Sequence, residues 1–130
     1  MKKSTKLTLP LFIASVLLSS QSLAANNDKI ASECEQLGME VLLLADTHYS
    51  EQCAREVSYS ATTLINSANF VKAGDSKKGL ANLLDAKSRL AKVANSPKRC
   101  AYFSPLIKPI MPMVTMLQHT IEQESTTTTK

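Results

Sequence analysis

The chain has no tryptophan, three glycines, three cysteines and only 5% aromatic residues. So little glycine leaves no phosphate-cradling loop and few of the tight turns that a β-rich fold needs. Neither GxSxG, HExxH nor SxxK occurs, which excludes the local signatures of an α/β-hydrolase elbow, a zinc-protease helix and a serine–lysine pair. The cysteines form no CxxC and no CxxCH, so neither a thioredoxin-like dithiol nor covalent c-type haem is indicated. Two histidines, His48 and His119, complete a thin inventory of catalytic groups. Glu33 and Glu40 stand seven residues apart on one helical face, a spacing read as a solvated face rather than an acid/base pair. These absences predict a protein that is not an enzyme and that carries no cofactor. A haem held between Met39 and His119 has only the size and class of the chain in its favour.

What is present begins with an export signal. Lys2, Lys3 and Lys6 precede an apolar run, Leu7–Leu18, and the small residues Ser22 and Ala24 fit the −3 and −1 positions of signal peptidase. A stable membrane span needs about 20 apolar residues, and this run is shorter. Residues 1–24 are therefore expected to be a cleaved Sec signal peptide. The periplasm is the expected address, with full secretion second.

Three of the fifteen basic residues lie in that segment, leaving twelve against eleven acids. The near-neutral balance and scarce aromatics argue against a nucleic-acid partner. The charges are unevenly placed, however. Residues 25–56 hold seven acids and two bases, whereas 57–108 hold nine bases and two acids. Such a split suits complementary neighbouring helices, a charged binding face or a homodimer.

About 106 residues remain for the domain, enough for one core. Alanine and leucine are abundant and β-branched runs are scarce, a helical composition. Ile30, Cys34, Leu37, Val41 and Leu44 recur at helical spacing and predict a first helix over about Asp28–Asp46, capped by Asn26, Asn27 or Asp28. Cys53, Val57, Ala61, Leu64, Ala68 and Val71 predict a second over Glu51–Ala73, with Ser50 as its N-cap. Gly74 suits the left-handed position after a helix, and Asp75 caps a third, Ser76–Ala94. Its inward face is read as Leu80, Leu83, Leu84, Leu90, Val93 and Ala94. Ser104-Pro105 starts a short turn over 105–108. Pro109 and Pro112 then interrupt the chain, so the last helix is expected over Pro112–Glu124, with a kinked continuous helix as the rival, and a disordered tail over 125–130. The fold expected of residues 25–124 is a single all-α domain, a small antiparallel four-helix up-and-down bundle.

Topology chooses among the cysteine pairings. Helices two and three fold about residues 74–75, which brings the level of Cys53 near residue 96 and within reach of Cys100. Helices one and two fold about residue 48, which leaves Cys34 and Cys53 out of step by nine residues. That mismatch is about 13 Å along the axis, whereas disulfide Cα atoms lie within about 7 Å. Cys53–Cys100 is the expected disulfide, contributing about 3–4 kcal/mol by the chain-entropy argument. Cys34 is left as a free thiol, read as a small buried hydrophobe, with an intermolecular disulfide as the alternative.

Two surfaces could bind something. Met111, Met113, Met116 and His119 offer thioether and imidazole ligands of the kind that suit Cu(I) or Ag(I). Yet Ile110, Val114, Leu117 and Ile121 already form the stripe of the last helix, so the methionines also read as gap-filling packing or as an adaptable surface. The second surface is basic: Lys77, Lys78, Lys87, Arg89 and Lys92 on the third helix, with Lys98 and Arg99 beyond it. The expectation is an exported helical module, such as an inhibitor, immunity protein, adaptor or chaperone, that binds another periplasmic or envelope protein stoichiometrically. A soft-metal protein using the Met/His cluster is the alternative.

Overall fold

A computed structural model of the chain describes residues 26–128, with side chains described through Glu124. The expected signal segment therefore lies outside the described residues. Among these residues the fold is all-helical, with four long helices and one disulfide, as a small four-helix bundle requires. We number them α1 (26–47), α2 (Ala54–Lys72), α3 (Ser76–Ala94), a single-turn α4 (Ser104–Ile107) and α5 (Met111–Thr128). A 3₁₀ turn, Lys108–Ile110, joins the last two.

The apolar stripes meet in one core. Ile30, Cys34, Leu37 and Val41 of α1 and Val57, Ala61, Leu64, Ala68 and Val71 of α2 are buried. They are joined by Leu83, Ala86, Leu90 and Val93 of α3 and by Val114, Leu117 and Ile121 of α5. Phe103 and Ile107 plug the end of the bundle. Leu84 departs from its expected inward position and is 40% exposed. Leu83, Ala86 and Leu90 already fill the seam, and Leu84 is one residue, about 100°, around the helix from Leu83.

α2 runs closely against both of its sequence neighbours. At Gly38 of α1 an added Cβ would lie 2.7 Å from Ile65 Cγ1 and 3.0 Å from the Ala61 carbonyl. At Gly79 of α3 it would lie 2.6 Å from Val71 Cγ2. The Ser67 hydroxyl of α2 donates to the Gly79 carbonyl at 2.6 Å, satisfying a polar group inside this tight contact. Glycine thus serves here for close helix approach.

The α2–α3 turn follows local chemistry. Gly74 takes φ 86, its N–H donates to the Val71 carbonyl, and the Asp75 N–H donates to the Phe70 carbonyl. This Schellman arrangement satisfies carbonyls that the helix end would leave bare. Asp75 then caps α3 by accepting from the Lys78 N–H at 3.1 Å.

Other boundaries follow tertiary structure. α1 is already helical at residue 26, so Asn26, Asn27 and Asp28 stand inside it instead of capping it. α2 begins three residues later than its stripe suggests, and Ser50 is not its cap. Residues 48–53 form turns that end at Cys53, whose φ of 78 sets the chain's entry into α2. Ser104 does not cap α4 either. Its hydroxyl donates to the Ala94 carbonyl at 2.7 Å, closing the end of α3. α5 continues to Thr128, into the stretch expected to be a disordered tail from 125. Extending a formed helix adds a hydrogen bond per residue without a new nucleus, and neither Gly nor Pro intervenes.

Three links tie the α1–α2 connection and the start of α2 to the segment before α4. Cys53 and Cys100 form the disulfide, with Cα atoms 5.6 Å apart. Arg99 donates to both carboxylate oxygens of Glu56, at 2.9 and 3.1 Å. His48 Nε2 lies 2.8 Å from the Tyr102 hydroxyl. The Thr47 hydroxyl donates to the Leu43 carbonyl, so it can only accept from His48 Nδ1 at 3.1 Å. In the neutral ring Nε2 then accepts from Tyr102. The Tyr102 ring meets Phe103 edge-on, which connects this surface latch to the core.

Candidate binding groove

α1 and α5 close the bundle along a seam that is less completely filled than the core. A 310 Å³ groove opens there, lined by Glu33, Gln36, Leu37, Glu40, Met113, Met116 and Leu117. Its floor follows from the core register: Leu37 and Leu117 are buried and present only their outer edges. Met113 and Met116, one helical turn apart on α5, form one wall and are 45% and 68% exposed. Glu33 and Glu40, two turns apart on α1, frame the other. Neither makes an ion pair among the described residues. A second depression of 270 Å³ continues along the seam past Ile30 and Thr120, and Glu33 borders both.

This arrangement divides the expected metal ligands. Met111 packs half-buried against the core. His119 does not line the groove, and its Nδ1 lies 3.1 Å from a Glu122 carboxylate oxygen. Met113 and Met116 are left facing carboxylates, which are hard ligands and a poor match for the soft ions that thioethers prefer. No group of three His, Cys, Asp or Glu side chains suited to a metal occurs among the described residues.

Much of the basic surface is already engaged. Arg89 pairs with Asp85 at 3.2 Å and its guanidinium lies 4.2 Å from the centre of the Tyr59 ring. Lys78 approaches Asp75, Lys87 donates to Gln118 at 2.7 Å, and Arg99 is held by Glu56. Lys77, Lys92 and Lys98 are exposed. With Arg89 and Arg99, Lys92 helps hold the Glu56 carboxyl below its ordinary range, the hydrogen bond from Arg99 being the largest cause.

Cys34 is fully buried in α1, where burial first and the neighbouring Glu33 second push its thiol up to about 11. A thiol so protonated is a poor nucleophile and ligand. It behaves as a small core residue.

The groove escaped sequence reasoning because it needs α1 beside α5, two segments some seventy residues apart. The local signal was the spacing of Glu33 and Glu40 around Leu37. Among the described residues no helix is long and apolar enough to cross a membrane. No family model, curated protein or solved structure matches the chain.

Proposed function

We propose that this protein is an exported, periplasmic helical module that acts by stoichiometric binding of another envelope protein, and that the α1–α5 groove is the surface it uses. The observation that carries this reading is the exposure of Met113 and Met116 beside Leu37 and Leu117. Large apolar side chains left clustered at a seam are an energetic liability unless something covers them, and methionine adapts to varied partners. The inhibitor, immunity, adaptor and chaperone roles all share this mode of action. The soft-metal alternative finds less support, because His119 lies against Glu122 and the polar residues that share the groove with Met113 and Met116 are Glu33, Gln36 and Glu40.

The test is affinity capture from a periplasmic extract with the native protein and with Met113→Lys/Met116→Lys, followed by sizing of the complex. Native protein should retain a partner in fixed ratio, and the variant should lose it while keeping its helical circular dichroism. Equal capture by the variant would move the binding surface elsewhere. Turnover of a cell-envelope substrate by the isolated chain would contradict the reading altogether.

A further inference from the structure

The charges around the groove indicate what it accepts. α1 carries Asp28, Glu33, Glu35, Glu40 and Asp46 against the single base Lys29, and α5 carries Glu122 and Glu124 with no Lys or Arg. Of these, Glu33 and Glu40 line the groove and Glu33 and Glu124 line the depression beyond it, where Lys29 is the one base among the lining residues, so the apolar floor of the groove lies beside carboxylates. We infer that the groove binds a basic amphipathic helix of the partner, with apolar residues on the Leu37, Met113, Met116 and Leu117 surface and Lys or Arg facing Glu33 and Glu40. This rests on the binding-module reading above and gives it a partner chemistry.

The register is specific. Glu33 and Glu40 are seven residues apart, about 10 Å along α1 at 1.5 Å per residue. A helix laid alongside α1 meets both carboxylates with bases at positions i and i+7. Residues i+3 and i+4, between those bases, then face the floor. Apolar anchors at such spacing are how amphipathic helices enter grooves. The two depressions together follow α1 from Asn26 to Glu40, about 21 Å, which matches a partner of roughly four turns whose bases sit at the Glu33–Glu40 end, since Lys29 lines the far depression.

A second copy of the chain is the competing occupant, since α3 and the segment after it are basic. Most of its cations are already committed within the chain: Lys78, Arg89 and Arg99 are paired with Asp75, Asp85 and Glu56, and Lys87 is bound to Gln118. An α3-to-groove contact would also be head-to-tail, a geometry that builds open chains unless it closes a ring. Both points favour a separate basic helix.

The probe is a labelled 16-residue helical peptide with Lys at i and i+7 and Leu at i+3 and i+4, compared with the same peptide carrying Glu in place of Lys. The basic peptide should bind one to one, with Kd on the order of micromolar, and the acidic one at least about tenfold more weakly. Glu33→Gln/Glu40→Gln should weaken the basic peptide about three- to tenfold at low salt, a difference that shrinks at high salt. Met113→Ala/Met116→Ala should weaken it about tenfold or more, and Leu84→Ala, away from the groove, should leave it unchanged. Equal affinity for the two peptides, or an unchanged Kd in Glu33→Gln/Glu40→Gln, overturns the inference. So does a concentration-dependent dimer in sedimentation that Met113→Ala/Met116→Ala abolishes. A native partner captured through the groove without any basic-peptide binding sinks this inference alone; loss of both sinks the binding-module reading with it.

Discussion

Arg99 grips Glu56 with two hydrogen bonds, of 2.9 and 3.1 Å, across 43 residues of chain and next to the Cys53–Cys100 bridge. The pair fastens the first turn of α2 to the segment preceding α4. It holds the Glu56 carboxyl below its ordinary value, chiefly through the Arg99 hydrogen bond. A carboxyl lowered in the folded state contributes stability that is complete above the ordinary carboxylate range and is lost as pH falls through the lowered value. Glu56→Gln should therefore be slightly less stable than the native protein at pH 7. The gap should close on acidification and narrow in high salt, because both side chains are nearly half exposed. Urea unfolding at pH 7 and pH 3 checks both directions.

Cys53 has two structural duties, and substitutions separate them. It forms the disulfide, and with φ 78 it is the sole non-glycine residue at positive φ among the described residues. Removing the bridge as Cys53→Ala/Cys100→Ala should cost about 3–4 kcal/mol by the chain-entropy argument. Alanine also keeps the penalty of a left-handed backbone, about 1–2 kcal/mol, which glycine avoids. Cys53→Gly/Cys100→Ala should consequently unfold at higher urea than the alanine pair. Equal midpoints would mean that the turn at residues 48–53 relaxes once the bridge is gone.

The close approach of α1 and α2 makes Gly38 a second test. In a solvated helix Gly→Ala gains about 1 kcal/mol of helix propensity. At Gly38 the new methyl group would stand 3.0 Å from the Ala61 carbonyl, part of the backbone of α2, as well as 2.7 Å from Ile65 Cγ1. Overpacking of this kind costs about 1–3 kcal/mol, so Gly38→Ala should lower stability. Gly79→Ala should lower it less, because its shortest contact is a side-chain methyl of Val71 and the nearest backbone atom is 3.3 Å away. Thermal unfolding of the two variants gives the order.

These cases show which parts of the molecule were legible in the sequence. The α2–α3 turn is written in adjacent residues, Gly74 and Asp75, and α3 has the bounds expected of it, Ser76–Ala94. The disulfide was accessible because bundle topology fixes axial level. The start of α2 was not, since Cys53 adopts its φ within a turn that carries a bridge to a residue 47 positions away. The basic residues of α3 and of the segment after it were visible as a type, and Asp85–Arg89 as an i,i+4 pair, but engagement by Asp75, Gln118 and Glu56 emerged only in the folded chain. The groove was least legible. Met113 and Met116 read as flanking residues and Glu33 and Glu40 as a solvated face until α1 and α5 were set side by side.

The central claim, that Met116 faces a partner, is tested most directly by site-specific photocrosslinking in intact cells. A photoreactive residue replaces Met116 in one variant and Leu84, exposed on α3, in another. One discrete heterologous adduct is predicted from position 116 and none from position 84. An adduct from position 84 alone, or no adduct from 116 at native expression, would contradict the claim.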